Sequence, residues 1–100
     1  MIEKINSATL NIVPDPTIRD SGCSGTLEGL TVARMDAVLG FTSNRADDGT
    51  KVENSWSFTV DGRQGAIWDY KRSHERGVFS FWGAGHMPFE AYVRPRFFKD

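Results

Sequence analysis

The sequence holds one cysteine, Cys23, so no intrachain disulfide forms and a reducing compartment is expected. No apolar run comes near the roughly 18–20 residues of a membrane span, and the N-terminus lacks the apolar stretch of a secretory signal. Internal repeats and low-complexity tracts are missing as well. Neither sign of charge dominates: the net charge is −1. Residues 1–50 carry four Lys/Arg against seven Asp/Glu, and residues 51–100 carry eight against six. That balance is too mild for sequence-specific duplex binding, which draws much of its affinity from many phosphate contacts. It still allows a local basic pocket for a small anion.

What is plentiful is aromatic: seven Phe, three Trp and two Tyr, each able to bury about 150–250 Å². With 39% hydrophobic and 25% charged residues, residues 1–100 read as one globular domain with one modest core. "SATLNIV" (7–13) alternates as a strand and stops at "PDP" (14–16), since proline cannot donate to a ladder. "TIRDSGCSGTLEG" (17–29) reads as a Ser/Gly-rich loop. "LTVARMDAVLGF" (30–41) is a helix: Thr31 caps its start, Val32, Met35 and Leu39 share one face, and Gly40 suits the left-handed exit. Phe41 is expected to fold back on Met35.

Next come "VENSWSFTV" (52–60) and "GAIWDYK" (65–71), both alternating, with Asp61-Gly62 as a hairpin cue and Gln64 and Gly65 allowing a longer turn. Ala66, Trp68 and Tyr70 fall on one face, Ile67, Asp69 and Lys71 on the other. "GVFSFWG" (77–83) gives a third strand, and Pro88 opens a short helix over "PFEAYV" (88–93). The expected fold is α+β: a three-stranded antiparallel meander plus an N-terminal strand, one main helix on the sheet and a short C-terminal helix.

Chemistry-bearing patterns are sparse. Cys23, His74 and His86 share no metal-ligand spacing, so no metal or cofactor is expected. No nucleophile elbow presents a serine, and Asp69 has no obvious carboxylate twin, so no catalytic residue is assigned. Asp69 itself reads two ways, as a residue on a partly wet strand face beside Lys71 or an arginine, or as a group that positions a ligand's donor. "SGCSGT" is either a connector or, through Ser24, Gly25 and Thr26, an anion nest of backbone N–H groups. "KRSHER" is a solvated hairpin loop or, through Lys71, Arg72 and Arg76, a phosphate grip. Trp68, Tyr70 and Trp82 are core residues or a stacking platform for a nucleobase. In "FWGAGH" (81–86) the small residues would let a ligand approach the backbone. Phe97 and Phe98 in the tail either tuck inward or form an oligomer interface.

The blocks "SGTLEGLTVARMDAVLG", "KVENSWSFTVDG", "AIWDYK" and "FSFWG", in that order within residues 22–83, resemble a group of small phage-encoded accessory proteins. The resemblance rests on Ser24 to Leu30, Leu39, Gly40, Lys51, Trp56, Phe58, Asp61, Gly62, Ile67 to Lys71 and Gly83. This sequence departs from the pattern at its end, where "FSFWG" replaces a "WHIGG"-like strand. The resemblance implies expression in the cytoplasm of an infected bacterium and a non-structural, host-facing role. The resulting expectation is a non-catalytic phage counter-defence protein that sequesters a small anionic, nucleotide-type ligand as a homo-oligomer, without membrane contact. The alternatives are a protein–protein inhibitor of a bacterial defence effector and a small nucleotide hydrolase using His74 or His86.

Overall fold

The computed structural model describes residues 10–45 and 52–98. Among these, the strands are β1 (Ile12–Pro14), β2 (Gly25–Glu28), β3 (Val52–Val60), β4 (Arg63–Tyr70), β5 (Val78–Gly83) and β6 (Arg96–Phe97). One α-helix, α1 (Val32–Leu39), follows β2, and two 3-10 helices, Ser73–Arg76 and Ala84–Phe89, flank β5. All six strands form one antiparallel sheet in the order β1-β3-β4-β5-β2-β6. No helix of the described residues is long and apolar enough to cross a membrane.

The sheet corrects the expected architecture, which had three meander strands and one N-terminal strand. β2 sits inside the segment that reads as a Ser/Gly loop. Its four residues carry too little alternation to signal a strand, and it is made one by β5 on one side and β6 on the other. β6, two residues long, leaves no periodic trace. The expected helix over residues 88–93 is also replaced. The chain turns earlier, as the 3-10 helix Ala84–Phe89 with Pro88 inside it, and buries Ala84, Gly85, Pro88 and Phe89 against the sheet. Burying Phe89 outweighs local helix preference here. The expected first strand falls partly outside the described residues, at 7–9; within them, β1 runs into Pro14 on the sheet edge, where a missing donor costs no ladder bond.

Local chemistry explains the elements that sequence does mark. Asp61 (φ 51°) and Gly62 (φ 84°) form a two-residue turn between the paired residues Val60 and Arg63, the hairpin geometry that matches strand twist. Thr31 Oγ accepts from Arg34 N at 3.0 Å and caps α1. The Thr31→Ala variant should therefore lose about 1 kcal/mol of stability, a drop in melting temperature of about 4–8 °C. An unchanged melt would mean that water satisfies the freed amide equally well. Phe41 packs against the core cluster that contains Met35, and its ring meets Phe58 edge-on at 6.1 Å.

α1 and the 3-10 helix Ala84–Phe89 cover one face of the sheet. Met35 and Leu39 join Trp56, Phe58, Ile67, Phe79, Phe81 and Phe89 in a single buried cluster, and Trp56 Nε1 donates to Asp36 Oδ1 at 3.0 Å to tie β3 to the helix. The 3-10 helix seats directly on β4. A Cβ on Gly65 would lie 2.5 Å from Gly85 N, and one on Gly85 would lie 2.5 Å from Ala66 O. These glycines, including the one in "FWGAGH", serve backbone-to-backbone packing and not ligand approach.

Candidate functional site

The opposite, outer face of the sheet carries the residues of the candidate site. Cross-strand register aligns Ser55, Trp68, Ser80, Thr26 and Arg96 in one row, and Ser57, Ala66 and Trp82 in the next. Because β1 and β2 stand four places apart in the sheet, the chain between them must cross it. It does so over this face: Trp82 Nε1 donates to Ser21 Oγ at 3.1 Å, and Gly83 N donates to Ser24 Oγ at 3.3 Å. Arg45 pairs with Asp20 at 2.9 Å along the same crossing, and Ile18 is buried outside the main cluster.

This strap divides the tryptophans. Trp56 is fully buried in the core, whereas Trp68 and Trp82 are half-buried on the outer face and Tyr70, beyond them, is 42% exposed. Under the strap, the hydroxyls of Ser55 and Ser57 are buried without a hydrogen-bond partner. Buried polar groups in folded proteins are nearly always bonded, to protein or to water, so this pair stands out on one strand face.

The cations stand at the end of the β4–β5 hairpin. Lys71 Nζ lies 5.4 Å from the Tyr70 ring centroid, a cation–π contact. Arg72 is held by Glu75, with Nε 2.8 Å from Oε2. That hydrogen bond, then the neighbouring charge, keeps the Glu75 carboxyl below its ordinary value and raises the Arg72 guanidinium above its own. Arg76 is exposed. Ser24, Gly25 and Thr26 do not form an anion nest. Ser24 N donates to Phe81 O, and Gly25 and Thr26 are paired with strands on both sides; only the side chains of Ser24 and Thr26 face the site. Phe97 and Phe98 are 58% and 53% exposed, although the Phe97 ring meets Phe81 at 5.5 Å and His86 at 5.0 Å.

A second cluster lies at the hairpin end of the core face. Glu53 and Asn54 together oppose Asp69, because the β3–β4 register slips between Val52–Tyr70 and Ser55–Trp68. A bulge of this kind leaves backbone donors off the ladder. Asp69, fully buried, collects them: Oδ1 accepts from Glu53 N (2.9 Å) and Asn54 N (2.8 Å), and Oδ2 accepts from Asn54 Nδ2 (2.8 Å). The expectation of a partly wet Asp69 beside Lys71 or an arginine is thereby corrected. The left-handed residues Lys71 and Arg72 turn the chain back into the 3-10 helix Ser73–Arg76, which brings His74 Nδ1 to 2.8 Å from Asp69 Oδ2. His74 Nε2 lies 3.6 Å from Glu53 Oε1.

The chain matches no family model, no curated protein and no solved structure. Its function is therefore argued from these two sites. Sequence reasoning missed Glu53, Asn54, Ser55 and Ser57. The one available signal was the polar pair "EN" opening a strand that is otherwise aromatic; its meaning depends on a register slip that no single strand displays. It also left His74 without acidic neighbours, since Glu53 and Asp69 reach it only through the bulge and the return turn.

Proposed function

We propose that this chain is a non-catalytic binding protein that takes up a small anionic, nucleotide-type ligand on its outer face. One observation carries the reading: Trp68 and Trp82 remain half-buried in adjacent rows of the sheet face that also holds the unpartnered hydroxyls of Ser55 and Ser57. An aromatic face stacks a base with about 1–3 kcal/mol, the serine hydroxyls offer polar partners to its edge, and Lys71, Arg72 and Arg76 at the hairpin end supply the positive charge for phosphates. With the resemblance of residues 22–83 to phage accessory proteins, the role we propose is counter-defence by sequestration in the host cytoplasm.

The test is native mass spectrometry of the protein recovered from a defence-active bacterium, followed by denaturation and identification of released small molecules. An intact nucleotide at a fixed ratio per chain is the expected result. Trp68→Ala should lower its retention at least about fivefold, the loss of one stacked base. Protein that returns empty, or a Trp68→Ala variant that retains the ligand fully, overturns the reading.

A second reading, a protein–protein inhibitor or homo-oligomer docking through the β6 edge, is favoured by the exposure of Phe97 and Phe98 beside an unpaired strand edge. Aromatic anchors of this kind dominate interface energetics. Recovery of one host protein, or of a defined oligomer, that is lost in a Phe97→Ser/Phe98→Ser variant would support it.

A further inference from the structure

Independently of that binding face, we infer that Glu53, Asp69 and His74 form a site for one divalent transition-metal ion. Their ligating atoms all lie within 4.8 Å of one another. The decisive detail is how His74 meets Asp69. Nδ1 lies 2.8 Å from Oδ2, yet Nδ1 is a buried atom without a hydrogen bond. In a simple Asp–His pair the oxygen stands in line with the ring N–H. The contact is close without being a hydrogen bond, which suits two atoms that face one ion. Two ligands each about 2.1 Å from an ion are about 3.0 Å apart in octahedral and about 3.4 Å apart in tetrahedral positions, so binding asks the pair to open by a few tenths of an ångström.

The rest of the cluster is built for that task. Asp69 is immobilised by three donors from Glu53 and Asn54, which act on it as the outer-shell partners of a ligating carboxylate do. Its Oδ2 accepts only the Asn54 amide among hydrogen-bond donors and keeps a lone pair for an ion. Glu53, with its side chain 49% exposed, is free to swing its carboxylate inward as the third ligand, and water completes the shell from the solvent side. Two carboxylates and one imidazole favour the borderline ion Zn²⁺, and after it the harder Mn²⁺, over Mg²⁺, which prefers an all-oxygen shell. Arg72, whose charge also acts on Glu53, is engaged by Glu75 and leaves the carboxylates available.

The test is calorimetric titration of the EDTA-treated full-length protein with ZnCl₂, MnCl₂ and MgCl₂. One Zn²⁺ per chain is expected, Mn²⁺ binding more weakly and Mg²⁺ weaker still. His74→Ala should weaken Zn²⁺ binding by at least about tenfold and Glu53→Gln by a smaller factor. His86→Ala, which removes the separate His86–Glu90 pair, should leave it unchanged. Substoichiometric Mn²⁺ added to ¹⁵N-labelled protein should broaden the amides of Glu53, Asn54 and His74 first, a readout that reports location in the folded wild type. Absence of Zn²⁺ binding at millimolar ion, undiminished binding by His74→Ala, or broadening centred on His86 would each overturn the proposal.

Discussion

Asp69→Ala should cost about 3–5 kcal/mol, the usual penalty for removing one member of a buried charged network. That is a large share of the roughly 5–15 kcal/mol that holds a domain together. Alanine leaves the amides of Glu53 and Asn54 and the Asn54 side chain, all part-buried, without their acceptor, up to about 1–3 kcal/mol for each donor that water does not reach. It also removes the carboxylate that His74 Nδ1 faces at 2.8 Å. Urea denaturation should show a lower midpoint at unchanged slope, since the surface exposed on unfolding is the same. Asp69→Asn keeps the shape and one carbonyl acceptor and should fall between wild type and alanine. A loss below about 1 kcal/mol for Asp69→Ala, near the net worth of one ordinary hydrogen bond, would show that the bulge does not depend on this carboxylate.

Trp56→Ala should be comparably damaging, at about 3–5 kcal/mol. The ring is wholly buried between α1 and the sheet, meets Phe79 edge-on at 6.0 Å, and donates to Asp36. Its removal opens a cavity that close-packed neighbours refill only in part. Trp56→Phe retains most of the volume and loses chiefly the indole hydrogen bond, so it should cost about 1 kcal/mol for that bond. Trp68→Ala, on the half-covered face, should be markedly milder in the same denaturation series while removing the ligand. If Trp68→Ala proved as destabilising as Trp56→Ala, the outer face would be a second core and not a binding surface.

These contrasts also mark where sequence stops informing. The helical spacing of Val32, Met35 and Leu39 with Thr31 before them is a local signal, and α1 follows it. The alternation of Ala66, Trp68 and Tyr70 against Ile67 and Asp69 is local too, and it separates the two faces of β4. Which face became the core was decided elsewhere, by Trp56 standing opposite Ile67 and Phe81 opposite Ile67 on the other side. β2 was illegible for the same reason: Gly25 and Leu27 are buried by strands that lie far along the chain. The Asp69–His74 approach needed a register slip, two left-handed residues and a 3-10 turn to act together, and none of these has a distinctive residue pattern. The candidate cations, by contrast, were plain from composition at the hairpin loop.

The placement of β2 has a consequence for how the protein is made. Its partners, β5 and β6, are both encoded downstream, and β1 likewise pairs only with the later β3. At about 5–20 residues per second, synthesis takes about 3–10 s to advance from the end of β2 to Phe81. Throughout that interval Leu27 and its neighbours have no strand to join. The hairpin of β3 and β4 must emerge first and act as the template on which the earlier half of the chain is laid down. A nascent chain halted before β5 would therefore present β2 to chaperones and proteases as unpaired polypeptide.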